Sequence, residues 1–271
     1  MALRWPYRQP NLEQMMSLLH ALGLRLAAHL TRPRPGHSQL PAFPPEHLAA
    51  TLRVGDVLLV EGTSRLSSAI KYLTQSTWSH AALYVGDRLA PMPGASEPVR
   101  ALIEADVVAG VHLVPLADFL DQHTRICRPV GLDETDLAAL LDFVRVRLGQ
   151  GYDLRNLFDL ARYLIRPPLP GRLKRRMIAF GSGSPTRAIC STLLAQAFES
   201  IHYPILPEID SSDPLHPAVE QARRELLHIR NYSLFVPRDF DVSPYFRIVK
   251  PKLQQSFDFH RLKWAEAGSN L

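Results

Sequence analysis

A β-strand that ends in a Gly-Asp turn is predicted by residues 78–87, WSHAALYVGD. Successive side chains of a strand point to opposite faces, so His80, Ala82 and Tyr84 share one face. His80 therefore stands at the start of the strand, where its ring can emerge at the end of a sheet. A histidine in this position is commonly an ordinary edge residue, so its role depends on its neighbours.

The segments around this strand predict a core in which most strands precede the helices. Apolar runs bounded by turn residues indicate strands at 54–60, 101–105, 111–114, 124–130 and 232–236. Helical spacing and capping residues indicate helices at 64–73, 133–148, 153–164 and 186–201, with a short turn of helix at 118–122. Because strands and helices are segregated, the sequence predicts an α+β fold and not an alternating α/β fold.

The composition is that of an ordinary globular protein. The 271 residues are 46% apolar and 21% charged, which excludes disordered, collagen-like and fibrous proteins. Two cysteines, Cys127 and Cys190, are too few for a disulfide scaffold and lack metal-binding spacing, so neither a metal site nor a cofactor is predicted. The N-terminus does not resemble a cleavable signal, and no stretch approaches the ~18 apolar residues of a membrane span. We therefore expect a cytoplasmic protein, with peripheral membrane attachment as an option.

An N-terminal arm precedes the main domain. Apolar residues recur every three or four positions between Leu12 and Leu30, and five prolines follow between Thr31 and Pro45. Such a helix could pack on the domain or lie on a membrane surface. We divide the chain into an arm and linker at 1–45, a main domain at 46–250 and a tail at 251–271.

The positive charge is concentrated in two segments. The chain carries a net charge of +5, but residues 1–36 contribute +4 and residues 145–190 contribute +8, so the remainder is net acidic. The strongest basic run contains Arg172, Lys174, Arg175 and Arg176, interleaved with apolar residues. This pattern suits an anionic lipid surface, although a solvated basic loop is the simpler alternative. Nucleic acid is not expected, because the run lacks interleaved aromatic residues and no binding module is present.

Cys190 lies near the predicted start of a helix, which Pro185 and a capping Ser184 or Thr186 indicate. The free N–H groups and the positive dipole end of a helix stabilise a thiolate, the nucleophilic form of cysteine. The same N–H groups could hold the oxyanion of a tetrahedral intermediate. Alternatively, Cys190 is a small buried apolar residue of the helix.

A thiolate nucleophile needs a general base, and His80 is the best candidate among the eleven histidines. Glu104 lies in the next predicted strand between two apolar residues, where an acid is costly unless it is paired. If the two strands are neighbours, Glu104 could accept a hydrogen bond from the His80 ring and fix its tautomer.

The order of these segments resembles the circularly permuted papain-fold cysteine hydrolases of the YiiX and YebB type, relatives of the NlpC-like amidases. In ordinary papain-like enzymes the cysteine helix precedes the histidine strand, whereas here the histidine comes first. The resemblance extends from about Arg53 to Phe198, with a further similar segment at 236–246. The matching segments are Val54–Leu58, Trp78–Leu83, Ile103–Ala105, Gly151–Asp153 and Ile189–Leu193.

The resemblance implies a small antiparallel sheet or partial barrel packed against helices, including the helix that bears the cysteine. It also implies a catalytic triad of Cys190, His80 and Glu104 in an amidase or peptidase. Substrate contacts are expected from Tyr152, Asp153 and Ser79, and Cys127 matches no family motif.

The expected substrate is a small molecule, a peptide or a lipid conjugate, with lipid-linked and cell-wall-derived compounds as candidates. Two alternatives stay open: a thiol acyltransferase on lipids, and a catalytically silent membrane-associated binding protein. The sequence leaves the oligomeric state undetermined.

Overall fold

The computed structural model describes the central part of the chain and short flanking pieces. The described residues are 25, 28–32, 41, 44–89, 99–106, 109–151, 189–206, 208–209, 227–228, 232 and 235–251. The predicted helix at 153–164 and most of the N-terminal arm lie outside these residues. Leu30, the last of the regularly spaced apolar residues of the arm, is described and is buried.

The described elements follow the predicted order. Among these residues the helices are α1 (Pro45–Thr51), α2 (Arg65–Thr74), α3 (Glu134–Arg145), α4 (Ile189–Ser200) and α5 (Pro237–Val242). A 3-10 turn covers Leu116–Phe119. The strands are β1 (Val57–Val60), β2 (His80–Gly86), β3 (Ala101–Asp106), β4 (Gly110–Pro115), β5 (Thr124–Pro129), β6 (Glu208–Ile209), β7 (Leu227–His228) and β8 (Phe246–Val249).

Six strands form one antiparallel sheet in the order β4-β3-β2-β1-β5-β8, and β6 pairs with β7 separately. Strands β1 to β4 pair in the order in which they follow along the chain, whereas β8 forms the edge of the sheet beside β5. The α+β fold with a small antiparallel sheet is therefore confirmed. This order places β2 and β3 side by side, as the pairing of His80 with Glu104 requires.

Both faces of the sheet are covered. One face carries the larger core, in which Leu83 and Ile103 pack with apolar residues of α3 and α4. On the other face, Leu58 and Leu102 pack with Leu48 of α1 and with residues of the 3-10 turn. Because central strands are covered on both sides, β1 is buried at every position and reads as a continuous apolar run.

Polar side chains fix where the elements begin. Ser64 accepts a hydrogen bond from the backbone N–H of Ser67 at the start of α2, 3.0 Å away. Asp133 forms a capping box with Asp136 at the start of α3, as expected for a helix that begins there.

The prediction of a strand at 232–236 is wrong. Phe235 and Val236 are not in a strand, and Val236 directly precedes α5. Proline is favoured at the first position of a helix, so Pro237 begins α5. The backbone N–H of Val236 donates to Asp239 at 2.9 Å, which closes the first turn.

Candidate active site

Three elements meet at the candidate site: the start of β2, the middle of β3 and the N-terminal part of α4. Helix α4 packs against both strands. His80 is the first residue of β2, Glu104 is the fourth residue of β3, and Cys190 lies in the first turn described for α4. The Cys190 residue is only 4% exposed. His80 and Glu104 are 24 residues apart in the chain and Cys190 follows Glu104 by another 86, so the fold brings separate segments together.

His80 bridges the other two predicted catalytic residues. Its Nε2 lies 2.6 Å from Oε2 of Glu104, within charge-assisted hydrogen-bonding distance. The His80 side chain is 24% exposed and that of Glu104 is 13% exposed. Cys190 also lies close enough to His80 to raise the pKa of its ring. Since Glu104 holds Nε2, the ring nitrogen left for the thiol is Nδ1, and the structure brings together all three residues of the predicted triad.

The electrostatics of this cluster favour a charged imidazole. Burial lowers the pKa of His80, but the Glu104 carboxylate and then Cys190 more than offset it, so this pKa stands well above its ordinary value. Burial similarly raises the pKa of Glu104, but His80 more than offsets it and the net pKa is lowered. The arrangement is therefore suited to an imidazolium between the Glu104 carboxylate and the Cys190 sulfur.

The start of α4 is tied to the segment that precedes α5. The hydroxyl of Ser191 donates to the backbone carbonyl of Phe235 at 2.7 Å, and both residues are buried. This buried contact fixes the start of α4 to the segment before α5, so the adjacent Cys190 has a defined position relative to β2.

Ser79, a predicted substrate-binding residue, is 2% exposed and hydrogen-bonded within the protein. Its hydroxyl oxygen accepts from the backbone N–H of Gly62 at 2.8 Å and lies 3.5 Å from the carbonyl of Val60. Ser79, which directly precedes His80, is thus tied to the loop after β1. Its role toward substrate stays a prediction.

The entry into β2 is held by a network that the sequence did not indicate. The indole N–H of Trp78 donates to Asp241 of α5 at 2.9 Å, and Arg125 donates to both oxygens of the same carboxylate at 2.6 and 2.8 Å. The Arg125 guanidinium also lies 4.8 Å from the centre of the Trp78 ring. This network fixes the backbone two residues before His80.

His112 is a further residue near the site that the sequence did not indicate. Its Nε2 lies 3.4 Å from Oε1 of Glu104 and 3.9 Å from Oδ2 of Asp106. These three side chains each offer one potential metal-binding atom, and those atoms all lie within 4.8 Å of one another. The pairing of His112 with Glu104 depends on the register of β3 and β4, which the sequence did not specify.

Cys127, the second cysteine, lies in β5 and is fully buried. Burial, followed by the nearby Asp241 carboxylate, strongly raises the pKa of its thiol. A thiol in this state is a poor nucleophile, so Cys127 is a packing residue of the sheet.

The remaining predicted contact residues lie outside the described residues. These are Tyr152, Asp153, Arg172, Lys174, Arg175 and Arg176. Gly151 is described, and it lies against Gly110 at the beginning of β4. A helix long and apolar enough to span a bilayer is not found in the described part of the chain.

An antiparallel sheet with the histidine and the acid on adjacent strands, followed later in the chain by the cysteine helix, defines a papain-like fold in permuted order. The comparison with protein families agrees: residues 51–163 match the model of permuted papain-like amidase enzymes, the YaeF/YiiX C92 family. The predicted resemblance is thus confirmed over a stretch that includes His80 and Glu104, and Cys190 lies beyond it.

Among solved structures, the metalloprotein YiiX from Escherichia coli O157:H7 is similar, with 19% identity and a TM-score of 0.44. The alignment covers 73% of this chain and 96% of that chain. No curated protein matches the sequence.

Proposed function

We propose that this protein is a cysteine amidase that cleaves an amide or related acyl bond through the thiolate of Cys190. The observation that carries the proposal is the position of His80, which is hydrogen-bonded to Glu104 at 2.6 Å and lies close enough to Cys190 for that residue to raise its pKa. The family match over residues 51–163 supports a hydrolase of the papain-like type in general.

The proposed reaction has two half-reactions. The Cys190 thiolate attacks the carbonyl carbon and forms a C–S bond, the C–N bond breaks, and the His80 imidazolium gives its proton to the leaving amine. Water then attacks the thioester while neutral His80 takes its proton. The C–S bond breaks, and the product acid and the thiolate–imidazolium pair result. Throughout, Glu104 keeps the His80 ring oriented and stabilises its charged form.

The substrate class is a further part of the proposal. Lipid-linked or cell-wall-derived amides at a membrane surface would suit the two basic segments, 1–36 and 145–190, because anionic lipids attract basic residues beside apolar ones. The support is the charge distribution of the sequence, and salt-sensitive binding to anionic vesicles would test it.

A labelling experiment tests the chemistry without knowledge of the substrate. The full-length protein is treated with a limiting amount of iodoacetamide, and the modified cysteine is identified by peptide mass mapping. We expect Cys190 to be modified rapidly in the wild type and in a Cys127→Ala control, and modification to be lost in Cys190→Ala. Equal labelling of Cys190 in the wild type and a His80→Gln variant would refute an activated thiolate and favour a silent binding protein.

A further inference from the structure

The strand pairing places His112 directly beside the candidate triad. In the antiparallel register of β3 and β4, Glu104 is the partner of His112, and Asp106 is the partner of Gly110. Directly opposed residues of an antiparallel pair project from the same face with their Cβ atoms about 5 Å apart. The contact between His112 and Glu104 is therefore built into the sheet and does not depend on a loop.

The two oxygens of Glu104 face two different imidazoles. Oε2 lies 2.6 Å from Nε2 of His80, and Oε1 lies 3.4 Å from Nε2 of His112. A carboxylate with a partner on only one oxygen can rotate, whereas partners on both oxygens hold its plane. His112 is also among the influences that lower the pKa of Glu104, after the larger effect of His80.

The His112 ring is itself fixed by the backbone. Its Nδ1 lies 3.0 Å from the carbonyl oxygen of Gly110, so Nδ1–H donates there and Nε2 points toward the carboxylates. Gly110 is fixed in turn by its neighbour Val111, whose N–H donates to the carbonyl of Gln150 at 3.0 Å and whose carbonyl accepts from the N–H of Gly149 at 2.8 Å. A chain of contacts thus runs from a backbone turn through His112 and Glu104 to His80.

We propose that His112 is a positioning residue, which holds the Glu104 carboxylate in the orientation that keeps the His80 imidazole directed at Cys190. It would act through Glu104, because the other oxygen of that carboxylate is the one hydrogen-bonded to His80. This inference rests on the proposed cysteine-hydrolase function and extends the triad by one residue.

A double-mutant cycle tests the proposal. Single-turnover acylation of Cys190 by p-nitrophenyl acetate is measured for the wild type, His112→Ala, Glu104→Gln and the double variant. We expect His112→Ala to lower the maximal acylation rate by about tenfold, a coupling within the usual range for contacting residues, with the half-saturating ester concentration unchanged. In the Glu104→Gln background the same substitution should have no further effect. A merely structural role would lower the rate equally in both backgrounds.

Two further variants complete the test. His112→Gln keeps an N–H donor toward Glu104 and should recover most of the lost rate. His123→Ala is the matched control, because His123 also pairs with a glutamate, Glu61 at 2.8 Å, and has a similar exposed fraction. It should acylate at the wild-type rate. If His112→Ala does not fold, His112→Leu replaces it, since leucine has a similar volume and no polar atom.

The outcomes separate this inference from the proposed function. Acylation that persists in Cys190→Ala would overturn both. Loss of acylation in Cys190→Ala with a wild-type rate in His112→Ala would overturn the inference alone, as would an equal loss in the Glu104→Gln background. Stoichiometric Zn²⁺ binding to the wild-type protein, lost in His112→Gln, would also overturn it, because Nε2 of His112 would then be a metal ligand.

Discussion

Glu104→Gln is the substitution that most directly tests the electrostatic design of the site. Glutamine keeps the shape of the side chain and an oxygen that can accept from Nε2–H of His80, but it removes the negative charge. The charge is removed from a 2.6 Å hydrogen bond between side chains that are 24% and 13% exposed. Hydrogen bonds to charged groups contribute about 1.5–3 kcal/mol, so we expect Cys190 acylation to slow by about tenfold to a hundredfold.

The assay is the release of p-nitrophenol from p-nitrophenyl acetate in single-turnover conditions. Glu61→Gln is the matched control, because Glu61 pairs with His123 and Lys71 at 2.8 Å and lies outside the candidate site. We expect Glu61→Gln to acylate at the wild-type rate. Equal rates for Glu104→Gln and the wild type would refute the reasoning, because the charge of Glu104 would then have no part in activating the thiol.

The same substitution should change how stability depends on pH. The pKa of Glu104 is lowered from its ordinary 4.5, so its contribution is present above that pH and is lost as the pH falls through the folded-state value. The pKa of His80 is raised above 6.5, so its contribution is complete below that pH and is lost as the pH rises through the folded-state value. Thermal unfolding should therefore separate wild type and Glu104→Gln most between pH 4.5 and 6.5. A difference that is constant with pH would contradict this.

Two predictions concern the scaffold, and urea unfolding measures both. Asp56→Asn breaks the buried ion pair with Arg128, whose N···O distances are 2.7 and 2.8 Å, and should lower the free energy of unfolding by about 3–5 kcal/mol. Glu134→Gln, in an exposed ion pair, should lower it by less than about 1 kcal/mol. Gly110→Ala would place a Cβ 2.2 Å from the backbone oxygen of Gln150 at a φ of +70°, and should lower the free energy of unfolding by about 3 kcal/mol or more. Gly131→Ala has open space around the new Cβ and should lower it by about 1–2 kcal/mol. Equal losses of unfolding free energy for Asp56→Asn and Glu134→Gln, or for Gly110→Ala and Gly131→Ala, would contradict the corresponding prediction.

Local patterns predicted the elements that carry the site. The alternation after His80 predicted β2, and Asp133 with Asp136 predicted the start of α3, because each signal lies within a few neighbouring residues. The proximity of His80 and Glu104 followed from consecutive antiparallel strands. The order of histidine before cysteine then indicated the permuted fold, and residues 51–163 match the model of the permuted papain-like amidase family.

What escaped the sequence analysis depends on exact register or on distant contacts. His112 lay within a predicted strand, but its pairing with Glu104 depends on the hairpin register between β3 and β4. The Trp78–Asp241 hydrogen bond joins residues 163 positions apart, so no local pattern contains it. The segment at 235–236 was misjudged because its apolar residues suit a strand, whereas Pro237 begins a helix instead.

The central claim is that His80 is held as an imidazolium between Glu104 and the thiolate of Cys190. The most direct test is an NMR titration of the His80 ring in ¹⁵N-histidine-labelled wild type and Cys190→Ala, with the signal assigned by its loss in His80→Gln. We expect a His80 pKa well above 6.5 in the wild type and a lower value in Cys190→Ala, because Cys190 contributes to raising this pKa. Identical titration curves in the two proteins would contradict it.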